Sequence, residues 1–112
     1  MARILIIEHD EDLERLYAAV MRGLGHDPVL PTPATDTGTV DVVLVEPAHA
    51  ECRATAGQLR AVRPDLPIVC ASLKESTPDV ESLEPIAYLV KPFTLVELTD
   101  AVEAAVARTL QL

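Results

Sequence analysis

The reactive side chains of this chain gather where apolar runs give way to charge. Ile4-Leu5-Ile6-Ile7 is followed at once by Glu8, His9 and Asp10, and Val42-Val43-Leu44-Val45 is followed by Glu46. An imidazole among carboxylates can ligate zinc or another transition metal, with Glu8, Asp10 or Glu46 completing the set. The same grouping also suits a pH sensor. The plainer and preferred reading is that His9 is hydrogen-bonded to a neighbouring carboxylate and that no metal is held. Cys52 and Cys70 show no metal-ligand spacing. They are expected as reduced thiols of a cytosolic protein, Cys70 acting as a small hydrophobe within Ile68-Val69-Cys70-Ala71. His26 and His49 fall in loops and are read as solvated.

Those charged residues must be positioned by the elements that precede them. Besides the two runs above, Ile68 to Ala71 and Ala87-Tyr88-Leu89-Val90 are continuous apolar stretches, the pattern of strands buried on both faces of a parallel sheet. A weaker strand is expected at Pro28 to Leu30. Leu13, Leu16, Tyr17, Val20, Met21 and Leu24 follow helical spacing. Asp10 to Asp12 cap and charge the start of that helix, and Gly25 ends it. Ala50 to Val62 predicts a second helix that stops before Pro64. Thr94 with Glu97 forms a capping box, and Phe93 with Leu98 a hydrophobic staple, for a last helix. Its inner face is Leu98, Ala101, Val102, Ala105 and Val106, while Glu97, Asp100, Glu103 and Arg108 are expected to face solvent. Pro31 to Val40 has no helical period and reads as a loop or a single turn, and Thr77 to Pro85 allows about two turns.

Strand alternating with helix predicts an α/β protein with an open, doubly wound parallel sheet. In such sheets ligands sit beyond the carboxyl ends of the strands, which singles out Glu8, His9, Asp10 and Glu46. The 112 residues, 49% of them hydrophobic and 3% aromatic, fit a single domain spanning 1–112 with a Leu, Ile, Val and Ala core. A net charge of −9 with scattered basic residues argues against a nucleic-acid partner. No signal peptide and no run long enough to span a membrane is visible, so a cytoplasmic location is expected.

Four segments then resemble, in order and in register, the receiver domains of bacterial response regulators: ILIIEHDEDLERLYAAVMRGLG, DVVLVE, LPIVCAS and AYLVKPF. The resemblance implies a flavodoxin-like fold of five strands in the order 2-1-3-4-5. The family's second helix is then lost or shortened and its fourth is short. It places the family's acidic pair at Glu8 and His9, in a pocket with Asp10. Its phosphoacceptor falls at Glu46, its hydroxyl at Ser72, its switch aromatic at Tyr88 and its lysine at Lys91, followed by a cis proline at Pro92. In the family the acidic pair and the acceptor Asp hold Mg²⁺, and the Lys and hydroxyl then hold the phosphoryl oxygens. His9 and Glu46 depart from that pattern. Imidazole suits Mg²⁺ poorly, and a lengthened acceptor moves its oxygens by about 1 Å, which can cost on the order of 10²-fold in rate.

The expectation is therefore a non-enzymatic, phosphorylation-independent receiver in a two-component system, with weak or absent Mg²⁺ binding and no other cofactor. Its partner would be a protein: a histidine kinase, a fused output domain or a second copy. The ending Leu110-Gln111-Leu112 fits either a stand-alone module or a domain from a longer protein. Two alternatives remain open at the level of sequence. One is a working receiver phosphorylated by a histidine kinase or a small phosphodonor. The other is a flavodoxin-like binder of a nucleotide or small anion, disfavoured by the acidic edge and the lack of a Gly-rich loop after the first strand.

Overall fold

A computed structural model describes residues 2–110; Met1, Gln111 and Leu112, the ends of the expected 1–112 unit, lie outside the described residues. The elements run β1 (Arg3–Ile7), α1 (Glu11–Gly23), β2 (Asp27–Val29), β3 (Val42–Val45), α2 (Ala50–Val62), β4 (Ile68–Ser72), α3 (Pro78–Glu81), β5 (Ala87–Val90) and α4 (Leu95–Thr109). All strand pairings are parallel, in the order β2-β1-β3-β4-β5. Between β2 and β3 the crossover is a 3₁₀ turn at Thr37–Thr39, and between β4 and β5 it is the four-residue α3, as the aperiodic Pro- and Thr-rich segments foretold.

Side chains of a strand alternate between faces, and the core divides accordingly. Ile4, Ile6, Val42, Leu44, Val69 and Ala71 pack under α1 and α4. Leu5, Ile7, Val43, Val45, Ile68 and Cys70 pack under α2 and α3. Both strong caps form: Asp10 accepts from the Asp12 and Leu13 amides, and Thr94 with Glu97 closes the capping box. Gly25 adopts φ +84 just past α1, a conformation that any side chain would strain. Strand register sets the layout of the carboxyl edge. Ile7 lies opposite Val45 and Ser72 opposite Val90, so Glu8 and Glu46 emerge side by side, and the Lys91 amide donates to the Ser72 carbonyl (2.7 Å).

Several expectations need correction. Leu16 is 54% exposed and Ala18 is buried instead. The two lie about 100° either side of Tyr17 on the helix, and the small Ala18 allows the closer approach to the sheet. β5, read as buried on both faces, is an edge strand with Val90 exposed. β2 begins one residue earlier than the reading Pro28 to Leu30, because the Asp27 amide bonds the Ala2 carbonyl (2.8 Å); Pro28 is tolerated there because the strand is an edge.

His26 is not solvated but buried, and Glu103 is not a free surface charge. The His26 Nδ1 accepts from the Ala2 amide (3.2 Å), and Nε2 lies 2.6 Å from Glu103 Oε1. That pair of bonds calls for the tautomer with the proton on Nε2, and it ties the start of β1 to α4. His26→Ala is expected to destabilise the fold by about 2 kcal/mol, since it strands a buried amide. Glu103→Ala, which removes a half-exposed partner, should cost about half as much, and urea denaturation of the two variants checks both figures.

Candidate functional site

At the carboxyl edge of the sheet the chain ends of β1, β3, β4 and β5 bring Glu8, Glu46, Ser72 and Lys91 together. Glu46 is 5% exposed, and three donors engage its carboxylate. The Ser72 hydroxyl donates to Oε1 (2.8 Å), the Ala48 amide donates to the same oxygen (3.0 Å), and Lys91 Nζ donates to Oε2 (3.0 Å). Ser72, itself fully buried, accepts in turn from the Lys74 amide (3.1 Å). Tyr88 is half-buried and sends its hydroxyl to the Lys74 carbonyl, which fastens the turn after β4. The Lys91–Pro92 peptide is cis.

Glu8 is the member without a hydrogen bond. Its side chain is buried, neither carboxylate oxygen has a hydrogen-bond partner, and Lys91 Nζ stands 3.8 Å from Oε1. Burial foremost pushes its pKa above the usual carboxylate range; the Lys91 charge opposes this and the Glu46 charge adds to it. Two carboxylates thus share one ammonium. Tyr17, read from sequence only as core, adds a buried hydroxyl without a partner. Burial first, then the charges of Glu8, Glu46 and Asp10, push its pKa up.

The other residues expected at this pocket are turned to different tasks. Asp10 is exposed and spends one carboxylate oxygen on the amides of Asp12 and Leu13 (2.9 and 3.2 Å). His9 is not hydrogen-bonded to a carboxylate: its ring stacks on His49, centroids 4.2 Å apart. His49 is half-buried, not solvated. Cys52, for which the linear spacing showed no metal-ligand pattern, lies with its sulfur in the same cluster as the two imidazoles. The Ala48 and Lys74 amides were missed as well, because no side-chain pattern marks a backbone donor.

These donors do not fit Mg²⁺. That ion needs several hard oxygen ligands in octahedral geometry. Here both Glu46 oxygens are committed, His9 offers only nitrogen and is turned onto His49, and the Lys91 ammonium stands at the Glu8 carboxylate.

No protein-family model matches the chain, and no curated protein does. Solved structures match along almost its whole length. A CheY-like response regulator receiver domain protein from Methanospirillum hungatei superposes with TM-score 0.81 at 14% identity, covering 99% of this chain and 98% of that one. The chain has the receiver fold. NtrX from Brucella abortus, in complex with ADP, matches with TM-score 0.76 at 20% identity, covering 97% of this chain; this chain spans only 27% of that longer protein. The receiver domain of a Pseudomonas aeruginosa sensor histidine kinase, with magnesium coordinated in its active-site cleft, matches with TM-score 0.75 at 19% identity, covering 95% of this chain and 98% of that one. At these identities the likeness concerns the receiver fold, and the chemistry must be argued from the side chains.

Two variants test the electrostatics. Lys91→Met should destabilise the protein by about 3 kcal/mol, because it leaves two buried carboxylates without a cation; an unchanged melting temperature would refute the ion pair as a structural element. Glu8 behaves oppositely. Its folded-state pKa is raised, so its favourable contribution is present in acid and is lost as pH rises through that pKa. Glu8→Gln should therefore raise the melting temperature at neutral pH, with the gain vanishing below the ordinary Glu range.

Proposed function

We propose that this chain is an atypical receiver domain of a two-component system that signals by protein–protein contact, without phosphorylation and without phosphotransfer activity of its own. The observation that carries the reading is the closed set of contacts around Glu46. In the receiver family the lysine and the hydroxyl hold phosphoryl oxygens, and here Lys91 and Ser72 already hold the carboxylate at the acceptor position. A carboxylate whose oxygens are engaged by three donors is a poor nucleophile. It carries one negative charge, where a phosphoryl group carries nearly two. The pocket therefore supports a single held conformation over one that awaits modification.

The misfit to Mg²⁺ supports the same reading, because receiver phosphorylation relies on a metal to neutralise the donor oxygens. A donor approaching Glu8 and Glu46 would meet two carboxylates and only Lys91 to offset them. The partner in this reading is a protein: a histidine kinase, an output domain or a second copy. One of the structural neighbours is itself the receiver domain of a sensor histidine kinase. Among the described residues no helix is long and apolar enough to cross a membrane.

Incubation with acetyl phosphate and Mg²⁺ should leave the intact mass unchanged, and millimolar Mg²⁺ should give no saturable thermal shift. His9→Asp combined with Glu46→Asp shortens the acceptor and restores an oxygen ligand, and should recover Mg²⁺ binding. A mass increase of one phosphoryl group in the natural sequence, abolished by Glu46→Gln, would overturn the proposal in favour of a working receiver.

A further inference from the structure

Beside the Glu46 pocket, three side chains of metal-ligating type converge from the end of β1 and the start of α2. His9 follows β1, His49 precedes α2, and Cys52 lies one turn into that helix, so that His49 and Cys52 share a face. One ligand atom from each lies within 4.8 Å of the other two. Tetrahedral zinc with nitrogen and sulfur ligands holds its donors roughly 3.5 Å apart, given bond lengths of about 2.0–2.3 Å. The cluster thus needs to draw in by about 1 Å. His9 is exposed and is free to make that movement by turning off the His49 ring.

Two independent features mark the cluster as more than packing. His49 occupies the N-cap of α2, where a short polar side chain usually accepts from the helix amides, yet it makes no such bond. Its Nδ1 is buried with no partner, a lone pair or proton left unanswered inside the protein. Alongside, Glu8 buries two unpartnered carboxylate oxygens, and it shares a single ammonium, that of Lys91, with Glu46. The region therefore carries an excess of negative charge that a cation would relieve.

We propose that His9, His49 and Cys52 form a site for a borderline divalent transition-metal ion, Zn²⁺ by the nature of its donors, with a fourth position open to solvent. Two nitrogens and one sulfur select such an ion over Mg²⁺. On binding, the Cys52 thiol loses its proton to solvent and both imidazoles donate a neutral lone pair. The ion pins the β1–α1 loop to the start of α2. The site stands apart from the phosphorylation chemistry of the neighbouring pocket, and it holds whether or not Glu46 is ever modified.

The test uses the reduced protein, titrated with Zn²⁺ alone in competition with a chromophoric chelator, and with Co²⁺ as a spectroscopic probe. One ion per chain is expected, with a melting temperature that climbs with Zn²⁺ concentration and a thiolate-to-cobalt charge-transfer band. His9→Ala and His49→Ala should each weaken binding on the order of 10²-fold, the scale of metal-site disruption. Cys52→Ser should remove the charge-transfer band, whereas Cys70→Ala should keep it. Should Cys52→Ser fail to fold, His9→Ala, at an exposed position, decides the matter alone. The absence of saturable binding, an affinity unchanged in both histidine variants, or a charge-transfer band that survives Cys52→Ser would overturn the proposal.

Discussion

Parallel pairing of β1 with β3 forces two acidic residues to leave the sheet side by side, since Ile7 and Val45 are register partners and Glu8 and Glu46 come next. Both are buried, and like charges so placed oppose the very register that creates them. Lys91, carried in from β5 across β4, resolves the conflict. Its ammonium stands 3.0 Å from Glu46 and 3.8 Å from Glu8. At such separations, with an effective dielectric near 20, each attraction is on the order of 4 kcal/mol before desolvation is subtracted. The lysine is thus a condition of the sheet's carboxyl edge, and the positions of Ser72, the Lys74 turn and Tyr88 depend on where Glu46 is held.

That arrangement explains why two changes relative to the receiver pattern act together. The added methylene of Glu46 is what lets one carboxylate reach Ser72 on β4 and Lys91 beyond β5 while still accepting from the Ala48 amide. Once Glu46 and Lys91 are joined, a cation is already present at the pocket, and Glu8 lies within its field. A carboxylate at position 9 would add a third acid to a pocket with one lysine. An imidazole there avoids that charge and instead finds a neighbour in His49. The two substitutions are mutually consistent: Lys91 serves Glu46 as its cation, and the imidazole at position 9 keeps a third carboxylate out of a pocket with one lysine.

Much of this was legible in the sequence because it rests on local signals. Continuous apolar runs marked β1, β3, β4 and β5, while Asp10, Gly25, Thr94 and Glu97 marked helix ends. The Glu46–Ser72–Lys91 assembly was legible only through the receiver resemblance, since nothing local links residues 26 and 45 positions apart. The misreadings share one cause. The His26–Glu103 bond spans 77 positions, and the meeting of His9 with His49 and Cys52 depends on how two loops fold over one edge. Leu16 was misplaced by a rotation of α1 that periodicity alone does not set. Local pattern fixes which elements form; it does not fix side-chain partners between distant elements.

The lost crossover helix between β2 and β3 shows how a fold survives without an element it would ordinarily contain. A helix satisfies its own backbone, so the segment replacing it must find partners elsewhere. Residues 31–40 do so with short polar side chains. The Thr35 hydroxyl donates to the Leu30 carbonyl (2.7 Å) and accepts from the Thr32 amide (2.9 Å), and Asp36 accepts from the Gly38 amide (3.0 Å). Arg63, just past α2, then donates to the Thr37 and Val40 carbonyls, which anchors the segment to the helix across the gap. The apolar requirement is met separately by Val40, which is buried among Leu5, Val43 and Leu59. One buried valine, threonine and aspartate turns and a single arginine thus take over the two jobs of a helix, self-satisfaction and coverage. What they do not restore is its width, so a groove remains between Pro31–Thr35 and the Leu59–Val62 turn of α2. The face that α2 presents is therefore shaped differently from that of a fully wound sheet, while the pocket at the carboxyl edge, which depends only on strand register and Lys91, is untouched by the loss.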